Sequence, residues 1–502
     1  MTVELDGHSL TIEEVAQVAE KGEKVEISEE ALETVEDSRI QLEERYREGE
    51  RIYGFNTGFG ALVDEDIGDE DIITLQKNMI WSHSVGVGDP LNEENARAVM
   101  LVKLNTLLTG HSGVCRETVE KLKKYLNSNI HPQIPSKGSL GASGSIAPLS
   151  HMVLALIGEG KMKEDGEWQN AEDVLENKGI EPLKLKAKEG LALVNGTSFI
   201  TGIGCLALLR ANKLVNTADI AGSLSAEAMK AVKDAYREDI QELRPYKGQK
   251  VTASNIRKLT KNSQLVKDDS KGELQDAHSL RCIPQVHGAC REAIEYVKEI
   301  LETEINSITD NPVIMEDKVV SCGNFHGQPV SQALDYLGSV ITSLGNISER
   351  RIAKMVDRNN SKGLPPFLIR RSGLNSGLMA TQYTAASLAS KNKVLSHPSS
   401  SDSIPSSANQ EDHVSMGANA ASHLLDIEDN TAAIIAIELL CGYQGVNFRK
   451  EEPGEGTEKV CREISKHVKP LEHDRIVKKD FIKLKNLLEE GKFQEILGEL
   501  GN

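Results

Sequence analysis

Long stretches of unbroken helical hydrophobic periodicity constrain this chain more than any other feature. Apolar residues recur at three- and four-residue spacing over 198–237, 286–308, 328–356, 374–395 and 415–440. Such segments exceed the average helix of about 11 residues, and they bury their stripes best against one another. The spacing therefore predicts a mostly α protein: a central bundle of long helices, with few short strands, whose helices are shared between subunits. Shorter helices are predicted over 92–108, with Asn92 at the cap and Glu93 and Glu94 in the first turn, and over 114–126, ending before His131-Pro132. Strand signals are sparse. Val313-Ile314-Met315 and Val319-Val320-Ser321 flank Glu316-Asp317-Lys318 as a small hairpin, and 161–173 reads as a second. No internal repeat or linker divides the 502 residues.

Composition narrows the partners. Aromatic residues make up only 4%, so the core is expected to be aliphatic. A net charge of -18 argues against nucleic acid and anionic membrane as partners. The seven cysteines are odd in number and show no CxxC spacing, which fits reduced thiols in a cytoplasmic protein. Residues 1–21 are acidic and polar, unlike a signal peptide. The longest apolar run, 432–441, is interrupted by Glu438 and reads as a core helix. GxGxxG after a strand, GxxxxGK[ST] and HExxH are all missing, and the 13 histidines lack ligand spacing, so neither a nucleotide nor a metal is expected.

The chemistry concentrates at 138–151, Gly-Ser-Leu-Gly-Ala-Ser-Gly-Ser-Ile-Ala-Pro-Leu-Ser-His. An Ala142-Ser143-Gly144 turn can cyclise. The Gly144 nitrogen attacks the Ala142 carbonyl, two waters leave, and Ser143 becomes a dehydroalanine within a five-membered ring. The product, 4-methylidene-imidazol-5-one (MIO), is an electrophile made from the chain itself. Glycine suits the third position because a Cβ would hinder approach to a carbonyl two residues away. Taken alone, the tripeptide reads equally as a turn ahead of a helix, since Ala147-Pro148-Leu149 resembles a helix start.

Other segments place polar residues where apolar periodicity predicts none. They are Tyr53-Gly-Phe-Asn-Thr-Gly-Phe-Gly60, Ser82-His83-Ser-Val-Gly-Val-Gly88, Asn195-Gly196-Thr197, Gln275-Asp-Ala-His-Ser-Leu-Arg281 and Ala408-Asn-Gln-Glu-Asp-His-Val-Ser415. In order and spacing, together with the Ala-Ser-Gly segment, they resemble the aromatic amino-acid ammonia-lyases, closest to members acting on histidine. The match runs from about 10 to 470 and leaves 471–502 as a peripheral helical tail on a single catalytic unit, 1–502. The resemblance implies an ammonia-lyase/fumarase-like architecture, an MIO from Ala142, Ser143 and Gly144, and a homotetramer whose active sites draw on several chains. It also implies loss of ammonia from L-histidine to give urocanate.

Roles follow from the resemblance, each with a physical reason. Tyr53 matches the base that removes the β-proton; a phenol must ionise for that task, so the site is expected to lower its pKa. Arg281 matches the residue holding the substrate carboxylate, for which the guanidinium fork is suited. Asn195 and Gln275 match hydrogen-bonding partners of the ring or the captured amine, read here as donors. Phe325, in Gly323-Asn-Phe-His-Gly327, matches a phenylalanine packed on the ring. His83 and Glu411 supply the polar partners an imidazole needs and a phenyl ring would leave unpaired. Two positions depart from the pattern: His278 stands where the family has a second catalytic tyrosine, and Ser145 where it has an aspartate. A related lyase or 2,3-aminomutase acting on another aromatic or imidazole-bearing amino acid, and an inactive helical oligomer, are the alternatives.

Overall fold

A computed structural model describes residues 2–266 and 275–500. The chain forms two compact units, each built from three separate stretches. Met1–Ala207, Val297–Asp335 and Pro398–Ser422 make the first; Leu208–Tyr296, Tyr336–His397 and His423–Asn502 make the second. Helices dominate both. The longest, Ser198–Ala228, Ile283–Ile305, Gln328–Val356 and Gly417–Val446, contribute residues to both units. Residues 189–228 are long and apolar enough to cross a membrane by length and composition, yet their most apolar window is wholly buried in the protein.

The first unit is organised around Glu93–Leu108. Asn92 caps this helix by accepting from the Asn95 N–H at 2.9 Å, and every residue from Asn95 to Leu108 is buried. A helix buried on all sides must satisfy its polar side chains internally. Arg97 donates to the Val18 and Leu126 carbonyls, Asn105 to the Ile305 carbonyl and Lys103 to the Asn195 carbonyl. The described residues of the chain hold four small sheets. Thr2–Leu5 pairs in parallel with Lys24–Ile27 across the helix Ile12–Lys21, which opens on a Thr11/Glu14 capping box. Val87–Pro90 pairs with Pro135–Lys137. Lys161–Glu164 and Glu167–Asn170 form a hairpin joined by His131–Pro132. In the remaining hairpin Val313 faces Val320 and Ile314 faces Val319.

In the second unit the long helices meet closely. A Cβ on Gly442 would lie 2.8 Å from the Leu224 Cβ, and one on Gly445 would lie 2.7 Å from the Ala228 Cβ. Two buried charge networks tie these helices. Glu438 accepts from Arg351 Nη2 at 2.8 Å and from the hydroxyls of Ser225 and Ser348, each at 2.6 Å. Asp219 accepts from Arg291 at 2.6 Å, from Asn255 at 2.8 Å and bonds His287 Nδ1 at 2.7 Å. Burial pushes the Asp219 carboxyl up, but Arg291, His287 and Asn255 outweigh it and hold it below its usual range. Lys478–Glu489 and Lys492–Glu499 complete this unit, anchored by the buried Leu484, Leu488 and Phe493.

Removing one partner of the Arg351–Glu438 pair strands a charge that is fully buried. Glu438→Leu is expected to destabilise the protein by about 3–5 kcal/mol. The double variant Arg351→Met/Glu438→Leu is expected to lose much less, as read from thermal unfolding midpoints of the two proteins.

Candidate active site

The Ala142-Ser143-Gly144 segment is a closed turn at the start of the helix Ile146–Leu156. The Gly144 N–H donates to the Gly141 carbonyl at 3.0 Å, and Gly144 sits at φ +71°. Its neighbours clamp each end. The Gly327 N–H donates to the Ala142 carbonyl oxygen at 2.8 Å. Ser143 Oγ accepts from the Ser145 N–H at 3.2 Å, and the Ser145 hydroxyl donates to the Ser143 carbonyl at 3.3 Å. Ser145, at the aspartate position of the family pattern, thus orients the turn through its main chain and its hydroxyl. Gly327 cannot carry a side chain without disturbing this: a Cβ there would lie 3.0 Å from the Ser143 oxygen and 2.8 Å from Ile200 Cδ1.

The residues present fit the ring that the sequence implies. Cyclisation requires an electrophilic carbonyl at Ala142, and the Gly327 N–H polarises that carbonyl and would stabilise negative charge building on its oxygen. Ala142, Ser143 and Gly144 are all buried, which keeps water from competing.

Tyr53 lies in a loop held by Gln76, whose Nε2 donates to the Gly54 carbonyl at 2.9 Å while its Oε1 accepts from the Leu191 N–H at 3.4 Å. Gln76 therefore couples the Tyr53 loop to the helix Glu189–Val194, which ends at Asn195. The Tyr53 oxygen accepts from the Gly60 N–H at 2.9 Å, and its ring meets Phe59 edge-on. The expected lowering of its pKa is not what this chain produces. Burial pushes the phenol above its ordinary value, and the Glu411 charge adds to that; the Gly60 N–H opposes both and is outweighed.

Glu411 arrives on a strained loop. Ser407, Ala408 and Asn409 all take left-handed φ, at 48°, 52° and 69°. The loop is pinned by the Ser406–Glu411 bridge, by the Ser406 hydroxyl donating to Glu411 Oε2 at 2.6 Å, and by Ser407 Oγ accepting from the Ala61 N–H at 3.2 Å. His83 ends the helix Ile72–His83, and its Nδ1 lies 2.9 Å from the Met79 carbonyl. Donation to that carbonyl places the proton on Nδ1 and leaves Nε2 as an acceptor. Phe325 is half-buried two residues before Gly327, and its neighbour His326 bonds His413 at 3.2 Å.

Asn195 is buried, with both amide hydrogens committed. Its Nδ2 donates to Asp310 Oδ1 and to the Asn311 carbonyl, each at 3.1 Å. The donor role read from the sequence does not survive this arrangement; the atom left for a ligand is Oδ1. Tyr53, His83, Ala142–Gly144, Asn195, Phe325 and Glu411 all belong to the first unit, whereas Gln275, His278 and Arg281 belong to the second. There Asp276 anchors the segment by accepting from Lys362 at 2.6 Å and from the Val232 N–H at 2.7 Å. Gln275 and His278 are exposed, and the Arg281 Nε is buried without a hydrogen bond among the described residues. Gln76, Gly327, Asp310 and Lys103 were not picked out as functional from the sequence. Lys103 alone carried a signal, as a lone cation in an apolar run.

Residues 10–466 match the model of the aromatic amino acid lyase family. Over 502 residues the chain is 48% identical to a histidine ammonia-lyase of Caldanaerobacter subterraneus subsp. tengcongensis, covering 99% of each. The structure of histidine ammonia-lyase from Trypanosoma cruzi superposes with a TM-score of 0.92 at 41% identity, covering 100% of this chain and 96% of that one. Tyrosine aminomutase from Streptomyces globisporus superposes with a TM-score of 0.95 at 35% identity, covering 99% of each chain. On the strength of this full-length likeness, the chain belongs to the aromatic amino acid lyase family.

Proposed function

We propose that this chain eliminates ammonia from L-histidine to give urocanate, as a cytoplasmic homotetramer using an MIO formed from Ala142, Ser143 and Gly144. The observation that carries the reading is the Gly327 N–H on the Ala142 carbonyl, which prepares the turn for cyclisation. When formed, that group supplies an electrophile for the amine, chemistry no side chain offers. The chain's own residues supply the rest. Tyr53 takes the β-proton through its phenol oxygen, with the Gly60 N–H favouring the ionised form. Glu411 keeps one carboxylate oxygen beyond its bond to Ser406, which accepts from the imidazole N–H. His83 Nε2 accepts from the second ring N–H when the substrate imidazole is protonated. Arg281 grips the α-carboxylate and, with Gln275 and His278 on the same segment, comes from a neighbouring copy. The exposure of Gln275 and His278 supports that placement.

The likeness to tyrosine aminomutase favours a second reading, a 2,3-aminomutase that returns the amine to the β-carbon. Purified protein incubated with L-histidine decides between them: ammonia and the near-ultraviolet absorbance of urocanate support the lyase, and a β-amino acid supports the mutase. The intact protein is expected to weigh two waters less than its sequence. Ser143→Ala is expected to restore the full sequence mass and abolish ammonia release; an active Ser143→Ala protein would refute the ring.

Glu411→Gln tests substrate choice and the base together. Losing a charge-assisted bond to the imidazole is expected to raise the histidine KM by about 10- to 100-fold. The same change removes the anion that raises the Tyr53 pKa. Activity rises with pH as the phenol ionises, so this rising limb is expected to move to lower pH in a kcat–pH profile. A limb that stays in place would separate Tyr53 from Glu411.

If His278 substitutes for the family tyrosine, His278→Tyr is expected to keep or raise kcat. Complete loss of turnover in that variant would count against the role.

A further inference from the structure

Behind Asn195 lies a group of charges that the reaction as described does not use. Lys103, Lys188 and Asp310 are each fully buried. Lys188 Nζ contacts Asp310 Oδ2 at 2.7 Å and donates to the Ser112 carbonyl at 2.9 Å. Lys103 Nζ donates to the Asn195 main-chain carbonyl at 2.6 Å. Asp310 Oδ1 accepts from Asn195 Nδ2 at 3.1 Å and from the Asn311 N–H at 2.7 Å. Lys103 thus holds Asn195 at its main chain and Asp310 holds it at its side chain, while Lys188 backs Asp310 without touching Asn195. Burying ions costs desolvation, which the hydrogen bonds of Lys188 and Asp310 offset more completely than the single bond of Lys103. Hydrophobic residues of similar volume would avoid that cost, so a core placed only for stability has little use for this set.

The arrangement also fixes which way the amide faces. Turning it over would set Asn195 Oδ1 against the Asp310 carboxylate and the Asn311 carbonyl, three acceptors together. The Asp310 charge forbids that and leaves Oδ1 without a hydrogen bond among the described residues.

We propose that Lys103, Asp310 and Lys188 are positioning residues: a buried clamp that presents Asn195 Oδ1 as the acceptor for the amino group of the substrate. The proposal rests on the lyase reading above and adds the residues that orient its amine. Burial brings the Lys103 ammonium down to about 8; Asp310 opposes that shift and Lys188 adds to it. In the charged state Lys103 binds the Asn195 carbonyl most firmly, so the grip weakens as pH rises through this value. Tyr53, raised above its ordinary value, is still gaining ionisation there, so the wild-type rate is expected to stop rising with pH at about 8.

The test uses the full-length enzyme and the variants Lys103→Met and Asp310→Asn. Each is measured for intact mass, for kcat and KM with L-histidine across pH, and for inhibition by 3-(imidazol-4-yl)propionate, the substrate skeleton without its amine. Both variants are expected to be two waters short and to lose about ten-fold or more in kcat/KM. Binding of the amine-free analogue is expected to stay within about two-fold of wild type, and in Lys103→Met the levelling near pH 8 is expected to give way to a continued rise. General damage to the fold would weaken the analogue equally, and that result overturns the proposal. Wild-type kcat/KM in Lys103→Met also overturns it. A variant that retains the two waters assigns the clamp to ring formation and overturns it as well. Should Asp310→Asn fail to fold, Lys103→Met decides alone. A wild-type protein inert toward L-histidine removes the lyase reading itself, whereas an active wild type with indifferent variants removes only the clamp.

Discussion

A main-chain seam sets the terms for the candidate site. The Gly327 N–H reaches the Ala142 carbonyl, Ser415 Oγ donates to the Gly141 carbonyl at 3.4 Å and accepts from the Gly417 N–H at 3.2 Å, and the Ser331 hydroxyl donates to the Ser415 carbonyl at 2.7 Å. Three chain segments converge here, joined by main chain and serine hydroxyls and packed against the Ile200 side chain. That is the physical demand of chemistry made from backbone: the reacting amide and carbonyl must be held by other backbone groups, at distances only glycine, alanine and serine permit. The small residues at 141–145, 327, 415, 417 and 418 answer to that one constraint.

The same economy of contact governs the buried charges. Glu438 and Asp219 in the second unit, and Asp310 in the first, are each enclosed by several donors; at Asp219 and Asp310 the surrounding cations and donors outweigh burial and hold the carboxyl below its usual range. Tyr53 is the counterexample. It receives a single N–H and faces an anion, so the phenol is disfavoured as a base within one chain. A base in that position gains from any cation brought to it, and the substrate's own ammonium is one.

Much of the fold was legible because long helices advertise themselves. Gln328–Val356 appears with the bounds its periodicity set, and Asn92 caps the helix where an asparagine before two glutamates said it would. Misjudged ends have local causes. The helix from Ser198 stops at Ala228 rather than running to 237, because Lys230 turns left-handed at φ 50°. The helix read from 374 begins only at Met379, because the Ser376 and Gly377 N–H groups are taken by the Asp474 carboxylate. Thr2–Leu5 and Lys24–Ile27 went unread, four-residue strands being too short to show a period. In the site, residue types that do chemistry stood out, while those that hold them did not. Gln76 and Asp310 act through partners distant in sequence, and nothing local marks them.

The loop carrying Glu411 stores three left-handed residues in a row, none of them glycine. Each costs roughly 1 kcal/mol or more relative to a relaxed backbone. Selection for heat resistance alone would replace Ala408 by glycine and relieve part of that cost. The relieved loop would also wander, and the carboxylate at its end would no longer meet an incoming imidazole in one fixed pose. Tolerance of that tension marks the segment as a place where discrimination between ligands has been kept at the expense of robustness.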